Sequence, residues 1–316
     1  MTNVEIIMGI DTTGSMQSVI NNAVDTAKSI ESTLKESDFN VNLALAGVND
    51  YSPIQVEHDS PITWNVDLNS VSAHGGGDTP EAYSTFIDEA CDRFKIDNSI
   101  RIIILIGDSY GHGMPPIQGG KMISDSFVDG DPNGSTIPSS MKKMKDAKVT
   151  FYYVLAGHGT ENAELWGAAN SKYTNGTVIP MQMKDFEENH VAKTLSLYIE
   201  GQVSMVSALK NKKLEGKSVD EIATILSEYM DEKGKKVVEL SETIEHSATD
   251  AMINSVDSND SFYRSLQHVE SQTLHRMHDG SVTTKKRHVS AAITPIRANS
   301  SSRSVRRAVS IASQFL

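Results

Sequence analysis

Val4-Glu-Ile-Ile-Met-Gly-Ile10, followed at once by Asp11-Thr-Thr-Gly-Ser15, is the passage from which the rest of the chain can be read. The first seven residues form a short apolar run, and after the polar turn Met16, Val19, Ile20, Ala23, Val24, Ala27 and Leu34 recur at helical spacing. A strand leading into an amphipathic helix is the expected result. The alternation repeats downstream. Val41, Leu43 and Leu45 mark a strand, 80–94 a helix, and Ile100–Ile106 and Phe151–Leu155 two more strands. A helix over about 159–169, a short strand near 177–181 and a long helix over roughly 185–208 follow. Buried strands alternating with helices predict a doubly wound α/β domain with a mainly parallel sheet. Between 40 and 65 two strand-like runs are separated only by Asp50–Pro53, a hairpin length that predicts one antiparallel strand in that sheet.

After about residue 209 the strand signals stop. Ser218-Val-Asp-Glu221 reads as a capping box opening a helix with Val219, Ile222, Leu226, Tyr229 and Met230 on one face. Gly234 breaks that pattern, and polar helices are expected over about 236–254 and 261–277, as a small satellite bundle. The resulting division is an α/β domain at 1–208, a helical region at 209–280 and a Ser/Arg-rich basic tail at 281–316 with little fixed structure.

With 316 residues the chain is long enough to bury a substantial core. Its formal net charge is -12, yet the segment from Lys285 onward holds seven cations and no acid; setting those seven aside leaves residues 1–284 at -19. An acidic body repels nucleic acid and anionic lipid, so only the basic tail is a candidate for contact with acidic surfaces. The single cysteine, Cys91, excludes a disulfide scaffold, and the N-terminus carries no secretory pattern. The longest apolar runs, such as Ile102–Ile106, are far too short to cross a bilayer. A reducing, cytoplasmic setting is the expectation.

In a doubly wound fold ligands bind beyond the carboxyl ends of the strands, and three loops leaving those ends carry hard oxygen ligands. They hold Asp11, Thr13 and Ser15 at alternate positions, Thr79 within Gly75-Gly-Gly-Asp-Thr-Pro80, and Asp108 after Gly107. Two carboxylates and three hydroxyls suit a small divalent cation such as Mg²⁺, with Mn²⁺ or Ca²⁺ as alternatives, and leave one coordination position open to water or an incoming carboxylate. Helix N-termini behind Ser15 and Thr79 would add partial positive charge. For each residue taken singly, an N-cap is the simpler reading. Capping does not account for five groups on three loops.

At these residues the sequence resembles the von Willebrand factor type A (VWA) domain with a complete metal-ion-dependent adhesion site. That family's pattern of Asp-x-Ser/Thr-x-Ser, then Thr, then Asp falls on Asp11, Thr13, Ser15, Thr79 and Asp108. The resemblance spans residues 1 to about 205. The finer runs Gly75-Gly-Gly-Asp-Thr-Pro-Glu-Ala82, Asp108-Ser-Tyr-Gly-His-Gly113 and Asp129-Gly-Asp-Pro-Asn-Gly134 look like the intracellular A domains found beside alpha-kinase domains. The roughly 110 residues that follow are too few for a kinase. The resemblance implies a non-enzymatic recognition module in which a protein partner's Asp or Glu completes the cation's coordination, over loop surface at 50–53, 74–81 and 109–135.

Other motifs point elsewhere. Asp129–Gly134 starts like a calcium loop, but its twelfth position is Ser140 and not a bidentate Glu, so an ordered surface insertion is expected. His74, His112, Asp78 and Glu81 are expected to shape the rim that a partner touches. His268, His275 and His278 read as a solvated helix face, and Gly216-Lys-Ser218 as a helix entry. Arg306-Arg-Ala-Val-Ser310 offers a site to a basophilic kinase within a disordered tail. Two other functions are open at this point. Gly9–Gly14 is similar to the first phosphate loop of the actin and sugar-kinase ATPases, which implies nucleotide binding. The helical region 210–280 could alternatively drive self-association in a structural scaffold.

Overall fold

The computed structural model describes residues 2–36, 39–52, 60–114, 125–156, 160–181, 190–210, 217–232, 237–240, 249–254, 256, 293–296 and 303–312. Its centre is a six-stranded sheet. β1 (Asn3–Asp11) lies in the middle with β2 (Asn40–Val48) on one side and β4 (Ile100–Gly107) on the other, both parallel to it. β5 (Val149–Ala156) and β6 (Thr177–Met181) extend the parallel ladder beyond β4, and β3 (Ile62–Trp64) closes the far edge antiparallel to β2.

The apolar runs are continuous because both faces of the sheet are covered. Ile102, Ile104 and Ile106 turn to one side, where Ile6, Met8 and Ile10 of β1 also lie; Ile103 and Leu105 turn to the other. The first face is covered by α1 (Ile20–Lys35) and α5 (His190–Lys210), through Ala23, Ala27, Ile30, Tyr198, Val203 and Val206. The second is covered by α2 (Tyr83–Arg93), α3 (Ile137–Asp146) and α4 (Glu161–Tyr173), through Phe86, Met141, Met144 and the fully buried Trp166. Burial of this kind contributes roughly 25 cal/mol for each Å² of apolar surface removed from water.

Three expectations need correcting. The antiparallel strand is present as β3, the run directly after Pro53 lies outside the described residues, and Asn49 N donates to Pro61 O at 3.1 Å beside the β2/β3 pair. Helix α3 was absent from the periodic reading. It is announced by Thr136, whose side chain accepts from Ser139 N in a capping box, with a proline in the first turn. Strands also do not stop at 209, since β7 (Val237–Leu240) pairs antiparallel with β8 (Ile293–Ile296) where helix and tail were expected. β-Branched residues fill two of the four positions of β7 and three of the four of β8, which favours strand over helix.

The last correction concerns the basic tail. Within it, α8 (Arg303–Ala312) is a helix that buries Ala308, Ile311 and Ala312 in the α1/α5 core. Arg307 donates from Nη1 to the Tyr198 hydroxyl on α5, and Ser310 Oγ donates to Asn175 Oδ1 at 2.7 Å. Apolar side chains at 308, 311 and 312 share one helical face, and that periodicity outweighs a composition dominated by Ser and Arg. The satellite helix α6 (Val219–Glu232) opens with the reciprocal bonds Ser218 N to Glu221 Oε2 and Glu221 N to Ser218 Oγ, at 2.6 and 3.3 Å. A short α7 (Thr249–Asn254) packs beside α4, with Met252 buried in the second core. The expected helix at 261–277, the three histidines in and after it, and Gly216 lie outside the described residues.

Candidate functional site

The site forms where the crossovers on β1 and β4 diverge to opposite faces of the sheet, leaving a crevice above the carboxyl ends of the two strands. Register fixes its floor. Ile10 of β1 pairs with Ile106 of β4, so Asp11 at the end of one strand stands beside Gly107, and Asp108 follows at the next position. A tight turn and the 3-10 helix Gly14–Ser18 then bring Thr13 and Ser15 back over Asp11.

Four of the five expected oxygens form a connected chain. Thr13 Oγ1 donates to Asp11 Oδ1 at 2.6 Å, Thr13 Oγ1 and Ser15 Oγ are 3.2 Å apart, and Ser15 Oγ donates to Asp108 Oδ1 at 3.0 Å. Asp11 Oδ1 also accepts from Thr13 N at 2.8 Å, and its Oδ2 accepts from the Tyr83 hydroxyl. Asp11 is fully buried; Ser15 is exposed, so the chain of oxygens runs from the protein interior to solvent. Two glycines make this approach possible. A Cβ on Gly107 would collide with the Tyr83 hydroxyl that holds Asp11, and Gly76, at φ +79°, passes so close that its Cβ would lie 3.3 Å from that of Thr13.

The fifth expected residue, Thr79, stands differently. It is exposed, and the bond that ties it to the site is its backbone carbonyl, which accepts from Ser109 Oγ beside Asp108. No helix starts behind it, because α2 begins only at Tyr83. The residues between are drawn down by an isolated parallel bridge in which Glu81 N donates to Tyr110 O at 2.8 Å. Glu81 is therefore not on a rim. It is 3% exposed, its carboxylate faces Thr13, Asp11 and Asp108, and its Oε2 is buried without a hydrogen-bond partner. The sequence alone puts Glu81 with the rim residues; the signal for its burial is the apolar run Ala82, Tyr83 and Phe86 that begins beside it.

Electrostatics follow from this crowding of acids. Burial, with Asp108 adding to it, lifts Asp11 from 3.8 to about 7; Thr13 and Tyr83 oppose the rise by hydrogen bonding. Burial likewise raises Asp108. For Glu81, burial and then the charges of Asp11 and Asp50 push the carboxyl up to about 11. These shifts favour the protonated forms, and a bound cation would oppose each of them by favouring the ionised carboxylates.

His112 is the other correction to the expected rim. It is fully buried, with Nε2 2.7 Å from Asp50 Oδ1 and Nδ1 2.9 Å from Asp125 Oδ1. Burial opposes its protonation, but the two carboxylates prevail and raise it from 6.5 to about 10. His74, by contrast, is exposed. In the calcium-like run Asp129–Gly134, Asp131 turns inward and accepts from Thr85 N and Oγ1 at 2.7 and 2.6 Å, while Asn133 Oδ1 accepts from Ser135 N at 3.0 Å. These side chains brace the loop in place of converging on an ion.

Residues 5–101 match a family described as von Willebrand factor A domain. The strand order, with one antiparallel edge and helices on both faces, is that of a doubly wound α/β domain, and the matched stretch runs from β1 to the first residues of β4. Similar solved structures include a von Willebrand factor type A protein from Catenulispora acidiphila, at 15% identity and a TM-score of 0.40 over 61% of this chain and 43% of that one. Another is proximal thread matrix protein 1 from the mussel byssus, at 11% identity and 0.40 over 62% of this chain and 46% of that one. The chain spans less than half the length of either. A comparison with curated proteins returned no match.

Proposed function

We propose that this chain is a cation-dependent protein-binding module. In this reading Mg²⁺ sits among Asp11, Thr13, Ser15, Asp108 and Thr79, and a carboxylate offered by a partner fills the position left open toward solvent. The observation that carries it is the spacing of the oxygen chain. In an octahedral shell at 2.0–2.1 Å, neighbouring ligand oxygens stand about 2.9 Å apart, and the three successive separations here are 2.6, 3.2 and 3.0 Å. Asp11 and Asp108 supply two negative charges that balance the ion's two positive ones, the hydroxyls supply neutral ligands, and the position open to solvent takes an anionic side chain in exchange for water. The buried, unpartnered Oε2 of Glu81 adds a further acceptor facing the same space. VWA domains generally serve protein interaction, which agrees with this reading.

No helix among the described residues is long and apolar enough to cross a membrane. The nucleotide-binding alternative gains no support. The phosphate-loop comparison requires a duplicated domain, and the six-stranded sheet has no second copy among the described residues.

The test is selection of random peptides on the immobilised chain in Mg²⁺, with elution by chelator. Enriched peptides should share an Asp or Glu, and Asp11→Ala protein should retain none of them. Equal enrichment on wild type and Asp11→Ala, or binding indifferent to chelator, would refute the proposal. An ATP titration run in parallel should show no saturable binding.

A further inference from the structure

Beside the crevice the structure holds a second group of ligating side chains that the first site does not use. Asp50, on the loop after β2, Asp78, on the glycine-rich loop, and His112, after β4, bring one ligand atom each within 4.8 Å of one another. The His112 and Asp50 side chains are 0% and 1% exposed. Each group is held by its far side. Asp50 Oδ1 accepts from Tyr51 N at 2.6 Å, and Asp78 Oδ2 accepts from Ser126 N at 2.6 Å. Asp125 takes His112 Nδ1 at 2.9 Å and is itself fixed by Gly113 N and Phe127 N, both at 2.8 Å. The Phe127 ring stands edge-on to the imidazole at 5.0 Å.

An imidazolium clasped by two carboxylates explains Asp50 Oδ1 and Asp125. It leaves Asp50 Oδ2 and Asp78 Oδ1 without explanation, since both are buried and neither has a hydrogen-bond partner. A buried carboxylate oxygen with no donor loses about 1–3 kcal/mol or more of solvation that nothing returns, and here two such oxygens occur in one three-residue group.

We propose that Asp50, Asp78 and His112 form a second cation site, selective for a first-row transition ion such as Mn²⁺ or Zn²⁺. Imidazole nitrogen favours such ions over Mg²⁺, and two carboxylates suit them as well. Asp125 supplies the outer carboxylate that fixes the ring and directs Nε2 at the ion, as metal-binding histidines commonly require. The ion replaces the proton between Nε2 and Asp50, and that proton leaves to solvent. In a tetrahedral shell with bonds of about 2.0–2.2 Å neighbouring ligand atoms stand about 3.4 Å apart, so the three atoms, within 4.8 Å of one another, would close on an ion by side-chain shifts of about 1 Å.

The experiment uses full-length protein carrying Asp11→Asn, so that the first site is silenced and the two proposals fail separately. Mn²⁺ is titrated by calorimetry, and the loaded protein is measured by pulsed electron paramagnetic resonance for nitrogen-14 coupling. One equivalent of Mn²⁺ with a single imidazole coupling is expected. Adding Asp78→Asn, which leaves the buried histidine in place, should abolish both the binding and the coupling, and Asp125→Asn should weaken binding about 10–100-fold. Circular dichroism establishes that each variant is folded. The proposal is overturned if the Asp11→Asn protein binds no Mn²⁺, or if the nitrogen coupling survives Asp78→Asn, which would assign it to another histidine.

Discussion

Replacing Asp11 by Asn should raise the stability of the protein in chelator and remove its response to Mg²⁺. The carboxyl's pKa in the folded protein is about 7 against an ordinary 3.8. The fold thus binds its proton more tightly than the unfolded chain does. The group's contribution is most favourable below about pH 4 and is lost as the pH rises through 7, so at pH 8 without metal its full penalty is present. At 1.36 kcal/mol for each tenfold change, that penalty is about 4 kcal/mol. Asn keeps the volume and the Oδ1 that accepts from Thr13, and it carries no charge to desolvate. It also presents an amide to the Tyr83 hydroxyl that now donates to Oδ2, so about 1 kcal/mol is returned for the rearranged bond. A net gain of roughly 3 kcal/mol corresponds to a melting temperature roughly 6–12 °C higher in EDTA at pH 8. In Mg²⁺ at a hundred times its dissociation constant, wild type gains about 2.7 kcal/mol and the variant little, which closes the gap. Differential scanning fluorimetry of both proteins in both buffers checks this. A variant that melts below wild type in EDTA, or that gains as much from Mg²⁺ as wild type does, would refute the reasoning.

Gly107→Ala should drive the Tyr83 hydroxyl off Asp11, costing about 1–3 kcal/mol of stability and weakening Mg²⁺ binding in calorimetry. Ile311→Ala on α8 should cost about 2–5 kcal/mol in urea unfolding, an effect that a solvated arm could not give. Burial pushes the Cys91 thiol up to about 12, so a thiol reagent at pH 8 should label it only as fast as the protein unfolds. Rapid labelling in the native state would show that α2 is not packed as described.

The sheet was legible because the physics of a buried parallel strand is written in consecutive residues. Ile102–Ile106 has no polar face to present, and a strand of that kind is buried on both sides between layers of helix. The oxygen chain was legible for a related reason. Its members stand at strand ends, where register between β1 and β4 alone decides that Asp11 and Asp108 meet. What escaped the sequence depends on contacts between distant segments. Glu81 is buried by a bridge to Gly111, and His112 by acids on two loops, neither of which leaves a local pattern. Helix α3 did leave one, in Thr136, Ile137, Met141 and Met144, but it lies under a run whose glycines and aspartates draw the eye to a loop.

Helix α8 completes the hydrophobic layer that starts with Val4. The layer on that face of the central sheet thus joins residues 4–10 to residues 308–312 in one buried cluster. During synthesis Asn175 and Tyr198 precede α8, so the layer over α5 stays incomplete until residues 303–312 have been made. A chaperone that shields the outer side of α5 and α6 until residues 303–312 have been made would have a defined apolar target, and until then the protein would stand one helix short of its native core.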